Sequence, residues 1–187
     1  MVYILLGAGF EEAEALVTAD VLRRANLPVS LVSVDGNPTV TGGHGITVTA
    51  DRSIAVTVLE DGDMLVLPGG RGGVASMEES KAAMDLIREA AHEDDCVWLA
   101  AICAAPTLLA RAGLLRSGVH AVCYRGMEGE LSAAGAVPQM DRSAVVDGNL
   151  ITGRGPGAAF DFGLKLVEVL AGEDAARTVA AGLVYGA

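Results

Sequence analysis

Apolar and polar positions follow two rhythms along this chain. Five short runs, VYILL (2–6), VSLVSV (29–34), MLVLP (64–68), CVWLAAI (96–102) and AVCY (121–124), are almost wholly aliphatic and read as strands buried on both faces. Between most of them lie amphipathic stretches of helical length, at 11–26, 80–94, 158–172 and 173–184. Buried strands separated by helices predict a parallel sheet covered by helices on each side. Two segments break the alternation. PTVTGGHGITVTAD (38–51) and AVVDGNLITG (144–153) have the pattern of hairpins, the second with Asp147-Gly148-Asn149 as its turn. No repeat, low-complexity tract or linker interrupts the chain, so one α/β domain over residues 1–187 is expected.

Composition narrows the function classes. Of 187 residues 51% are hydrophobic, which suits a large buried sheet, and the net charge is −11. Only 13 Lys and Arg are present and they are scattered, which argues against nucleic acid as a partner. The uncharged run Cys96–Ala110 is shorter than the ~20 residues of a spanning helix, and Pro106 interrupts it. No basic segment precedes VYILLGAGF, as a secretion signal would require, and three glutamates soon follow it. Three cysteines in a chain of this length predict thiols in a reducing compartment, with no membrane association and a cytoplasmic location.

In open α/β sheets, ligands bind beyond the carboxyl ends of the strands. GFEEAE, PGGRGG and CAAP follow three of the predicted strands, so topology brings them together. Cys103 stands on a bend between the strand ending at Ile102 and a helix starting near Pro106, an arrangement like a nucleophile elbow. There a helix N-terminus is expected to lower its pKa. A free cysteine is also among the most buried residue types, and spacing alone leaves both readings open. Glu14 shares a helix face with Phe10, Val17, Val21 and Ala25, so it should point inward with a raised pKa. Glu11 and Glu12 suit a solvated first turn better. Gly69 and Gly70 permit close backbone approach, and with the amide of Ala104 they form a candidate oxyanion hole. His44 lies at a hairpin tip, from which it can reach a site across a subunit interface. His92 and His120 read as a solvated helix end and a turn. No Cys or His spacing matches a metal site, so neither metal nor cofactor is expected. Pro156 and Gly157 in GRGPG suit a helix start, where Arg154 can approach an anion; a structural cap is favoured there over a binding role.

GFEEAEA, VLPGG, AAICAAP and GRGPGAAFDFGLKLVE, in this order, resemble the DJ-1/PfpI superfamily and within it the DJ-1/YajL/ThiJ-like branch. The resemblance extends over nearly the whole chain. It implies a flavodoxin-like three-layer sandwich, usually homodimeric, with Cys103 as the nucleophile and Glu14 as its partner acid. It also assigns the oxyanion positions to the amides of Gly70 and Ala104, and puts His44 where relatives contribute an arginine near the partner's site. Ala104 follows the cysteine where the superfamily's proteases have histidine, which speaks against peptidase activity. Tyr124 occupies a position where relatives with glyoxalase activity often have histidine.

Two functions follow as expectations, and a third is disfavoured. The first is a cofactor-independent cysteine enzyme acting on small reactive dicarbonyls, glyoxalase III-like or deglycase-like, in stress protection. The second is a redox-sensing or chaperone-type stress protein whose Cys103 meets oxidants instead of substrate. The third, glutamine amidotransfer, needs a late His-x-Glu that the chain lacks.

Overall fold

The first four uniformly apolar runs become strands of one sheet; the fifth does not. The computed structural model describes residues 1–92 and 96–186. In chain order the elements are β1 (Val2–Leu6), α1 (Glu12–Arg24), β2 (Val29–Ser33), β3 (Thr39–Thr41), β4 (Thr47–Thr49), β5 (Arg52–Ser53), β6 (Met64–Leu67), α2 (Arg71–Glu79) and α3 (Lys81–Ala90). There follow β7 (Trp98–Ile102), α4 (Ala105–Arg111), β8 (His120–Ala121), α5 (Glu128–Ala133), β9 (Val137–Pro138), β10 (Ala144–Asp147), β11 (Leu150–Gly153), α6 (Ala159–Ala171) and α7 (Glu173–Gly182). The main sheet has the order β10-β11-β7-β6-β1-β2-β5, and every pairing in it is parallel except β10 with β11.

This order explains the layers. The step from β1 to β2 runs one way across the sheet and the step from β6 to β7 runs the other way. Right-handed crossovers therefore put α1 and α3 on opposite faces. On the first face α1 packs against α6, and α6 against α7; on the second, α2 packs against α3 and α4. All side chains of β1, β6 and β11 are buried, as expected for strands covered on both sides. The result is the predicted three-layer α/β sandwich. The direction in which successive strands are added across the sheet reverses between β1 and β6, which opens a crevice at the carboxyl ends of the central strands.

Both predicted hairpins form. β3 and β4 pair as a separate antiparallel ribbon, and Gly148 takes the turn between β10 and β11 with φ 63°. Residues 121–124 differ from expectation. β11 has already taken the position beside β7, pairing Leu150 with Leu99, so no slot remains in the main sheet. Only His120 and Ala121 are extended, in a small parallel pair with β9. The Val122 amide instead donates to Thr152 Oγ1, and the Tyr124 amide to the Cys103 carbonyl. The sheet strand in CVWLAAI starts at Trp98, leaving Cys96 exposed. The helix expected over 80–94 ends at Ala90, and Glu93 and Asp94 lie outside the described residues. Helices α2, which buries Gly73, Val74 and Met77, and α5, which buries Leu131, are not among the predicted helices.

Helix α1 approaches α6 closely because Gly163 has no side chain. A Cβ placed there would lie 3.1 Å from both Cβ and Cγ1 of Val21, which is itself fully buried. Gly163→Val should therefore destabilise the protein by about 1–3 kcal/mol through overpacking. Urea denaturation reads this as a lower midpoint; an unchanged midpoint would show that the α1–α6 contact has room to spare.

Candidate active site

Three loops meet at the carboxyl ends of β1, β6 and β7. Gly9, Gly70, Gly72 and Gly73 let two of them touch backbone to backbone. A Cβ on Gly70, where φ is 84°, would lie 2.5 Å from the Gly9 carbonyl oxygen, and one on Gly73 would lie 2.7 Å from Phe10 Cα. The Glu11 amide donates to the Gly69 carbonyl across this contact at 3.1 Å. The α1 helix, starting at Glu12, thus has its first turn pinned against the β6 loop.

Cys103 occupies the bend between β7 and α4 in the left-handed region, with φ 66°. For a residue other than glycine that conformation costs on the order of 1 kcal/mol or more. Neighbours hold it there. The Cys103 amide donates to the Gly153 carbonyl at 2.9 Å, and its carbonyl accepts from the Tyr124 amide at 2.8 Å. With both backbone groups tied, the side chain projects from the end of the sheet. Only 8% of Cys103 is exposed, yet the residue lines an open pocket of about 480 Å³.

Glu14 lies behind the cysteine with 1% of its surface exposed. Its Oε2 accepts from the Gly69 amide at 2.7 Å, while Oε1 is buried without a conventional partner. The carboxyl's remaining interaction is with the Cys103 thiol. A Cβ on Gly69 would lie 2.7 Å from Cys103 Cβ and 2.8 Å from Glu14 Oε2, so glycine is required for the three groups to pack. Burial raises the Glu14 pKa from the ordinary 4.5 to about 7, against the pull of the Cys103 and Gly69 hydrogen bonds.

The Cys103 thiol is also pushed up, first by burial and then by the negative charge and hydrogen bond of Glu14; the amides of Ala104 and Gly70 pull it down less strongly. This corrects the expectation that the helix N-terminus would lower its pKa. Helix α4 has only seven residues, and its end is outweighed by desolvation and a neighbouring carboxylate. The two groups compete for protons, so titration belongs to the pair. When Glu14 holds the proton, the repulsion that disfavours thiolate disappears.

The candidate oxyanion amides separate. Those of Gly70 and Ala104 face the cysteine, whereas that of Gly69 is committed to Glu14 and is removed from the set. Tyr124 is half exposed and lines the pocket, its ring 3.3 Å from where a Cβ on Gly155 would lie. Arg154 lies in an adjoining hollow that shares Tyr124, Arg125 and Pro156 with the Cys103 pocket. The pattern of residues missed Glu11, Arg71 and Arg125, all of which line the pocket. Arg71 sits inside PGGRGG and Arg125 directly follows Tyr124, so proximity to the marked residues was the available signal.

His44 does not line the pocket. Its Nδ1 is 2.8 Å from Glu12 Oε2 and 3.7 Å from Glu11 Oε1, and its amide donates to Glu12 Oε1 at 2.7 Å. Glu12 is consequently buried, not solvated as expected: the β3–β4 hairpin folds over it, and Gly42 leaves room for its carboxyl. Burial alone would raise the Glu12 pKa, but the bonds from His44 and Ile46 outweigh it and lower it; the same contact raises that of His44. Glu11, Glu12 and His44 are the one grouping of potential metal-ligand atoms among the described residues, all within 4.8 Å. Both Glu12 oxygens are already hydrogen-bonded, so the cluster is a latch joining hairpin to helix.

Comparisons with known proteins bear on the family and the fold. The model of the DJ-1/PfpI family matches residues 1–169. Protein dj-1beta of Drosophila melanogaster is 40% identical over 181 residues, covering 97% of this chain and 95% of that protein. The crystal structure of Drosophila melanogaster DJ-1beta superposes with a TM-score of 0.88 at 38% identity, over 100% of this chain and 98% of that one. The glutathione-independent glyoxalase DJR-1.2 of Caenorhabditis elegans is 30% identical over 164 residues, covering 88% of this chain and 84% of that protein. A structure of oxidized Toxoplasma gondii DJ-1 has a TM-score of 0.88 at 31% identity, covering 100% and 98%.

The raised Glu14 pKa makes a prediction about stability. The folded state holds this proton up to about pH 7 and the unfolded state only to about 4.5. Stability from this group is therefore complete below pH 4.5 and is lost as pH rises through 7. Glu14→Gln retains an acceptor for Gly69 and removes the buried charge, so at pH 8 it should be more stable than wild type by on the order of 3 kcal/mol. That advantage should shrink toward pH 4.5. Equal denaturation midpoints at pH 8 would refute the buried, proton-hungry Glu14.

Proposed function

Because the chain belongs to the DJ-1/PfpI family, we propose that Cys103 is the nucleophile of a cofactor-independent enzyme that converts small reactive dicarbonyls to 2-hydroxy acids in stress protection. The observation that carries this reading is the buried Glu14–Cys103 pair at the head of an open pocket, with the Gly70 and Ala104 amides facing the sulfur. The named glyoxalase among its relatives supports the same reaction class.

The chemistry needs one nucleophile and one proton carrier. With the shared proton on Glu14, the Cys103 thiolate adds to the aldehyde carbon of methylglyoxal, forming a C–S bond. Glu14 then protonates the new alkoxide, which the Gly70 and Ala104 amides stabilise, and becomes a carboxylate. That carboxylate removes the hydrogen from the former aldehyde carbon, and the electron pair forms an enediolate with the neighbouring carbonyl. Glu14 returns that proton to the second carbon, the hydroxyl proton shifts to the neighbouring oxygen to give a thioester, and water releases lactate and the thiol. One carbon is oxidised and its neighbour reduced, so the net change is addition of water. The same addition to dicarbonyl adducts of amines or thiols would register as deglycase activity. A cytoplasmic homodimer completes the reading.

The second reading, a redox-responsive protein, draws on the oxidized Toxoplasma relative and on the pocket that admits oxidants to Cys103. Cys123 differs: it is buried, its thiol pushed up to about 12 by burial and by Glu128 and Glu130. Mild peroxide followed by mass spectrometry separates the two, since a sensor oxidises at Cys103 well before Cys123.

Purified protein should produce lactate from methylglyoxal, and Cys103→Ala should lose at least a hundredfold of that rate. Equal rates in the two proteins would end the enzymatic reading.

A further inference from the structure

Thirteen cationic side chains serve 24 acidic ones in this chain, and nearly all are engaged. Arg23, Arg24, Arg88, Arg111, Arg116, Arg142 and Arg177 form ion pairs, as do Lys81 and Lys165, and Arg52 lies over the Tyr3 ring. Apart from Arg52, three arginines have no carboxylate partner among the described residues: Arg71, Arg125 and Arg154. All three are exposed, and all three border the cavity at Cys103 or the hollow adjoining it. In a protein of net charge −11, acids are abundant enough to pair every arginine, so three without a carboxylate partner around two adjoining hollows mark a site for an anion.

The Cys103 pocket has charged side chains and the thiol in one lining. Its inner end holds Cys103 with Glu14 behind it, and Arg71 and Arg125 belong to the same lining. Beyond the wall formed by Tyr124 and Pro156 lies the second hollow, of about 330 Å³, lined by Arg125 and Arg154. Glu11 is the acid in the lining, and its carboxylate is directed to the His44 latch. A cavity of about 480 Å³ falls in the roughly 300–1,000 Å³ range of pockets that enclose ligands far larger than a three-carbon aldehyde.

We infer that the pocket takes dicarbonyls bearing a carboxylate, the carbonyl end at Cys103 and the carboxylate between Arg125 and the Arg71 or Arg154 side. The inference rests on the reading of Cys103 given above. The reaction remains an internal redox exchange plus water; the carboxylate tail is bound and is not transformed.

The test compares 4,5-dioxopentanoate with its methyl ester, in which one added methyl group removes the tail's charge. Wild-type protein should favour the acid over the ester by about tenfold or more in kcat/KM, through a lower KM, and added salt should erode the preference. In Arg125→Gln/Arg154→Gln the acid-to-ester ratio should fall to about one. A wild-type ratio near one, or a ratio the double variant leaves unchanged, would overturn the inference. A binding measurement covers the case in which no dicarbonyl turns over and the enzymatic reading fails by itself. Glutarate, which cannot react with the thiol, should show saturation-transfer NMR signals with wild type that disappear in the double variant. Absence of those signals with wild type would overturn the anion site whatever the fate of the enzymatic reading.

Discussion

One buried proton organises the site. Glu14 is 1% exposed and Cys103 8% exposed, so burial weakens the stabilisation that water gives either anion. A carboxyl and a thiol in such a place cannot both ionise near neutral pH, because each charge raises the cost of the other. The Gly69 amide holds one oxygen of Glu14, and the Gly70 and Ala104 amides face the sulfur. The backbone therefore stabilises whichever group has given up the proton. A pair of this kind moves a proton over a short distance with little reorganisation, which suits a reaction needing nucleophile, acid and base in turn.

The surrounding structure is arranged to keep that pair together. A left-handed cysteine is intrinsically unfavourable, and it persists because β11 and the Tyr124 loop tie its amide and carbonyl. Glu14 reaches it because α1 starts against the β6 loop, through backbone contacts that a side chain at Gly70 or Gly73 would break. The Glu12–His44 latch closes the hairpin over the same first turn. Strain at one residue is thus held by hydrogen bonds and close contacts distributed over four loops.

Much of this was legible in residue order, and the remainder has physical reasons for being hidden. Uninterrupted aliphatic runs reported the central strands, because burial on both faces leaves no polar alternation to confuse them. An acid among apolar positions on one helix face marked Glu14 as inward. AVCY was misleading because a run can be buried against the end of a sheet without joining it, and hydrophobicity does not distinguish the two. Glu12 was invisible as a buried residue because its partner, His44, is brought by a hairpin thirty-two positions away. The direction of the Cys103 shift required knowing that Glu14 sits beside it, a tertiary fact that helix-end reasoning lacks. Arg71 and Arg125 stood out only when every other cation was seen to be engaged.

The pH dependence of Cys103 alkylation by iodoacetamide, in wild type and Glu14→Gln, tests the shared proton most directly. In wild type the rate should rise through an inflection near pH 7, as the pair loses its first proton and part of the population becomes thiolate beside protonated Glu14. In Glu14→Gln that inflection should vanish, leaving one step at a higher pH that belongs to the thiol alone. An inflection near 7 that survives the substitution would contradict the account, because the proton it reports would not be shared with Glu14.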